Sequence, residues 1–141
     1  MNKRILFLFI ILSVFASVWY WDNPISVFNR EGFPITLDFF KTKVKFWKLE
    51  GGAPVEESIH GVFEISANYY NYLLSKCNIS TLDKKKFNKI ISYNEDYEKK
   101  IGLSIENTDC VLIKKMEMVK YVYATFVRKG KRHYIKYRVV D

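Results

Sequence analysis

Two cysteines and two histidines hold most of the reactive potential in this 141-residue chain: Cys77, Cys110, His60 and His133. A thiolate with an imidazole beside it is a nucleophile and base, so Cys77 or Cys110 with a histidine defines one candidate chemistry, that of a small hydrolase or thiol enzyme. Neither cysteine lies at a clear helix start or in a nucleophile elbow, where a thiol pKa is depressed. The same two cysteines also suit a single disulfide, closing a loop of about 33 residues worth roughly 3–4 kcal/mol on a chain-entropy argument. With an export signal on the chain, the disulfide Cys77–Cys110 is the expected state.

Other chemistries find little footing. No HExxH, CxxC or pair of histidines one helical turn apart is present, so no metal site is expected. Gly51-Gly52-Ala53-Pro54 is a turn and not a phosphate-binding loop, and no cofactor is expected. The acids Glu56-Glu57 and Glu95-Asp96-Glu98 are sequence neighbours on polar stretches. Glycosidase chemistry needs two carboxylates at a set distance across a cleft. No catalytic residue is assigned, and a non-catalytic role is expected.

The strongest local signal is charge. Between Lys114 and Arg138 lie nine basic residues and one acid, Glu117, interleaved with Tyr121, Tyr123, Phe126, Tyr134 and Tyr137. Arg128, Lys129, Lys131 and Arg132 crowd around Gly130, in the pattern of a basic hairpin tip. Cations set among rings on a sheet suit RNA in a cytosolic protein, but export argues against nucleic acid. The expected partner is a protein or an anionic envelope surface, with those four residues as the contact. The plainer alternative is a solvated outer face. Lysines far outnumber arginines, which speaks mildly against bidentate phosphate recognition.

The export address comes from the first residues. Lys3 and Arg4 precede an uncharged run from Ile5 to Trp21, interrupted only by Ser13 and Ser17. As a helix it spans roughly 25 Å, close to the thickness of a bilayer core. Two readings stand. Val14-Phe15-Ala16 is a passable cleavage site, which makes the run a signal peptide cut near Ala16 and the product secreted or periplasmic. Against that, the apolar run continues past Ala16 and ends in Trp19-Tyr20-Trp21, an interfacial aromatic belt that a signal peptide does not need. The retained anchor is favoured: one pass through the inner or plasma membrane, with the C-terminal domain outside the cytoplasm. Lys3 and Arg4 hold the N-terminus inside under either reading.

These observations divide the chain into an anchor or signal over 1–21, a linker over 22–32 and one domain over 33–141. Without Lys3 and Arg4 the domain carries 21 basic and 15 acidic residues, about +6. Ile35–Phe39 and Val44–Leu49 are expected as two strands or one long bent one. From Val55 to Cys77 the apolar residues recur at helical spacing, with a strand at Ile59–Ile65 followed by a helix from Ser66 as the alternative. Thr81 caps a second expected helix that stops near Gly102. Short strands follow at Leu103–Glu106 and Cys110–Lys114, then Val119–Val127 and His133–Val140 around the basic hairpin. In the last strand Ile135, Tyr137 and Val139 face one way, and Lys136 and Arg138 face the other, as on a sheet with one wet side. The sum is an α+β domain, about two helices packed on an antiparallel sheet.

Overall fold

The computed structural model describes residues 3–50, 58–77, 108–115 and 121–140. In chain order the elements are α1 (Lys3–Asp22), α2 (Pro24–Arg30), β1 (Thr42–Glu50), β2 (Ser58–Ile65), α3 (Ala67–Leu74), β3 (Thr108–Lys115), β4 (Tyr121–Lys129) and β5 (Arg132–Val140). The strands form one antiparallel sheet in the order β1-β2-β5-β4-β3. The chain is therefore an α+β fold, as its sequence pattern predicts.

α1 stands outside this body. It is long and apolar enough to cross a membrane, and none of it is buried by the rest of the chain. Its two polar interruptions are satisfied within the helix: Ser13 Oγ donates to the Phe9 carbonyl, and Ser17 Oγ to that of Ser13 at 2.7 Å. Neither hydroxyl then needs water, as an apolar medium requires.

Residues 22–32, expected as a linker, contain a working part of the core. Asn23 caps α2, its side chain accepting from Ile25 N at 2.9 Å, and Pro24 occupies the first turn. Phe28 is fully buried between Phe33, Phe63 and Tyr137. Only Asn23 separates α2 from α1, and the backbone carries across: Asn23 N donates to the Trp19 carbonyl at 3.0 Å. The amphipathic spacing Ile25–Phe28 was short enough to pass for a loop between stronger signals.

The stretch Ile35–Phe39 is not a strand. Phe33, Ile35 and Leu37 alternate into the core with Pro34 and Thr36 exposed, the period of a strand without its ladder. Its backbone is held by a side chain instead: Asn29 Nδ2 donates to the Leu37 carbonyl at 2.9 Å, and Asn29 Oδ1 accepts from Leu37 N at 2.6 Å. The single helix expected from Val55 to Cys77 is also corrected, in favour of the alternative. Ile59, Val62 and Ile65 lie on β2, in the sheet between β1 and β5, where β-branched residues on both faces are at home. Helix begins only after Ser66, whose hydroxyl accepts from Tyr69 N. Gly61 has a packing reason to be glycine, since a Cβ there meets the Trp47 ring at 2.8 Å.

The core lies where α2, the 33–37 segment and α3 cover the face carrying Phe63, Phe126, Ile135 and Tyr137. The opposite face was expected to be wet, and its centre is not, although Lys43 and Lys48 at its β1 edge are exposed. His60, Val62, Thr125, Val127, Tyr134 and Lys136 are all buried, with Val62, Val127 and Tyr134 clustered against Phe46. Large rings and β-branched side chains set beside Lys136 outweigh the alternation of charge that suggested solvent. The expected strand 103–106 and the helix from Thr81 to Gly102 with its lysines lie outside the described residues. β3 begins at Thr108, two residues before the strand expected from Cys110.

Candidate interaction surface

The register of the sheet brings several segments to one end. Thr42 at the start of β1 pairs with Ile65 at the end of β2, and Ile65 pairs with His133 at the start of β5. His133 pairs with Arg128 on β4, next to Val127, which faces Thr108 at the start of β3. That end therefore collects the loop before β1, the N-terminus of α3, the β4–β5 hairpin and the first residues of β3.

The four basic hairpin residues divide into two kinds. Lys129 pairs with Arg132, so the connection is the two-residue turn Gly130-Lys131, with Gly130 at φ 57°. Arg128 points back to the fold: its Nη2 is 2.6 Å from Asp109 Oδ1, and Asp109 Oδ2 accepts from the Tyr70 hydroxyl at 2.7 Å. The carboxylate strengthens the hold of the Arg128 guanidinium on its proton. Burial, and then the adjacent Asp109 carboxylate, push the Tyr70 phenol well above its ordinary pKa. Arg128 thus joins β4, β3 and α3. Lys129, Lys131 and Arg132 are exposed, and the Tyr134 hydroxyl beside Arg132 favours its charged form.

At the same end, residues 38–41 form a tight turn that the sequence pattern hid inside an expected strand. Asp38 Oδ1 accepts from Phe40 N at 2.7 Å, and Lys41 N donates to the Asp38 carbonyl at 3.2 Å. The Tyr69 hydroxyl steadies the turn by accepting from Asp38 N at 2.9 Å and donating to the Thr36 carbonyl at 3.0 Å. Phe40 is left with its ring fully in the open, at 101 % relative exposure. An aspartate followed by two large apolar residues and a lysine was the available signal. Beside the turn lies a cleft of about 630 Å³ whose lining includes Asp38, Lys41, Tyr69, Tyr72 and Lys76. Lys41 lies 5.4 Å from the Tyr69 ring centroid and Lys76 lies 4.4 Å from that of Tyr72. Lys76 also holds the Tyr72 phenol below its usual pKa.

The aromatic cluster that ends α1 reaches this end too. The Trp19 and Phe39 rings are 5.8 Å apart. The Arg30 guanidinium sits 4.2 Å from the Trp21 ring centroid and donates to the Trp21 carbonyl at 2.8 Å. Trp19, Tyr20 and Trp21 are all exposed.

Cys77, just after α3, and Cys110 on β3 are joined as a disulfide, with Cα atoms 6.5 Å apart. Both are buried. In this state neither sulfur is a thiolate, and the thiol–histidine arrangement is not assembled. His60 is buried in the sheet, and the His133 ring packs 4.9 Å from that of Tyr70. Among the described residues, no group of three or more histidine, cysteine, aspartate or glutamate side chains is placed to hold a metal ion. No family model, curated protein or solved structure matches the chain.

Proposed function

We propose that this chain is a small membrane-anchored, extracytoplasmic binding module, acting by contact with another macromolecule and not by catalysis. The observation that carries this reading is α1: a 20-residue rod, apolar and exposed along its described length, joined through Asn23 to a helix whose Phe28 lies at the centre of the core. The uncharged run of α1, Ile5–Trp21, spans roughly 25 Å, close to the hydrocarbon thickness of a bilayer. The disulfide supports an oxidising compartment. The exposed cations Lys129, Lys131 and Arg132 support an anionic partner. The alternative, a thiol enzyme, lacks its nucleophile while Cys77 and Cys110 are bonded.

Fractionation of cells expressing the full chain tests the proposal. The protein is expected to stay with membranes through an alkaline carbonate wash, to require detergent for release, and to keep residues 1–21 by mass. Its cysteines are expected to react with maleimide only after reduction. Release by carbonate of a chain beginning at Ser17 overturns the anchor. A maleimide-reactive thiol in the unreduced protein restores the enzyme reading.

A further inference from the structure

We infer that the basic hairpin and the Phe39–Phe40 turn rest on the anionic phospholipid head groups of the membrane that α1 crosses, so the partner of this surface is the lipid of its own bilayer. The inference rests on the anchored reading of α1 and adds to it an orientation for the domain.

The turn, the hairpin and the end of α1 share one level. Trp19 and Trp21 close the apolar run, the position at which indole rings settle in the head-group zone. Phe39 packs on Trp19, which puts the 38–41 turn at that depth. Two residues beyond Phe40 the chain enters β1 at Thr42, level in the ladder with Ile65 and His133. The hairpin tip at Lys131 extends two residues past His133, roughly 7 Å farther in the same direction at about 3.3 Å per residue. It stands two strands from β1, roughly 10 Å to the side. The turn and the hairpin therefore project from the same end of the sheet, the end at which Phe39 meets Trp19 of α1.

The chemistry at this end fits lipid. Phe40 offers a fully exposed ring with Lys41 next to it, and the same end of the sheet carries Lys129, Lys131 and Arg132, exposed cations on flexible stems. Among the described acids at this end, Asp38 accepts from the Phe40 amide, Asp109 is held by Arg128 and Tyr70, and Glu64 pairs with Lys45 at 3.4 Å. A protein partner would have to enter between the domain and its own bilayer, whereas head groups already lie there.

The test uses the full chain in nanodiscs of phosphatidylcholine, with or without phosphatidylglycerol. A photoreactive phenylalanine derivative replaces Phe40, Lys131, Leu49 or Phe9 in separate preparations, and adducts are identified by mass. Leu49 is exposed near the opposite end of β1, and Phe9 is exposed in the middle of α1. Lipid adducts are expected at 9, 40 and 131 and not at 49. The yield at 131 should rise with phosphatidylglycerol and fall roughly fivefold for each basic residue lost in Lys129→Ser and Arg132→Ser. Adducts at 9 without any at 40 and 131 overturn the orientation and leave the anchor standing. Absence of lipid adducts at 9 overturns the anchored reading, and this inference with it. Equal yield at 131 in both lipids, or crosslinks from 131 to a second copy of the chain, overturn the lipid assignment.

Discussion

Tyr70 carries more of the fold than its place on a short helix suggests. Its ring is fully buried, edge-on to Phe126 at 5.5 Å, and its hydroxyl meets the carboxylate that also holds Arg128. Removing the hydroxyl in Tyr70→Phe should cost about 1–2 kcal/mol, read as a lower denaturant midpoint. The pH dependence has a definite sign. Tyr70 and Tyr137 both have phenols raised above 10.0, by burial first and by Asp109 or Glu31 second. Above about pH 10 the unfolded chain sheds these protons while the folded chain keeps them, so stability falls as pH rises. Below that pH the contribution is fully present. Tyr70→Phe with Tyr137→Phe should flatten the alkaline loss of Tm, measured by circular dichroism in detergent; an unchanged slope would place the linkage elsewhere. Arg128→Ser should lower Tm where Lys131→Ser does not, which separates a structural cation from a surface one within five residues.

Among the elements, β2 is the most exacting. It pairs on both sides, and Gly61 sits under Trp47, which stacks on Tyr137 with ring planes 2° apart. Gly61→Ala is expected to destabilise by about 1–3 kcal/mol through overpacking, and Trp47 fluorescence should shift as the ring is displaced. The strands with plain alternation were legible in sequence: β5 and most of β4 lie where the pattern of Ile135, Tyr137 and Val139 put them. β2 was harder, because a strand with apolar residues on both faces can mimic helical spacing over two turns. α2 and the 38–41 turn were not legible. Each depends on one polar side chain, Asn23 or Asp38, capping backbone that tertiary contacts have already placed. The hairpin was legible as a turn and as a basic tip, but the loss of Arg128 to Asp109 needed the β3–β4 register.

Taken whole, the molecule is two chain segments closed into one sheet. β1, β2 and α3 come from the first half, β3 to β5 from the second, and they meet where β2 pairs with β5 and where Cys77 bonds Cys110 across 33 residues. Cys77→Ser with Cys110→Ser should lower stability by roughly 3–4 kcal/mol, and reductant should do the same to the native chain and nothing further to the variant. The junction at Asn23 acts on the same scale. Because α1 passes into a core helix across a single residue, the domain has no slack in its tether. A module on a loose stalk searches a hemisphere; under the proposed anchoring, this one would be confined by α1 to a layer about as deep as its own strands, roughly 30 Å. It would meet its targets by diffusion in the plane of the bilayer, at a local concentration set by area and not by volume. Lengthening the chain at Asn23 would then change its reach, at the cost of the Asn23 cap and of the Trp19–Phe39 and Trp21–Arg30 contacts that bridge the junction.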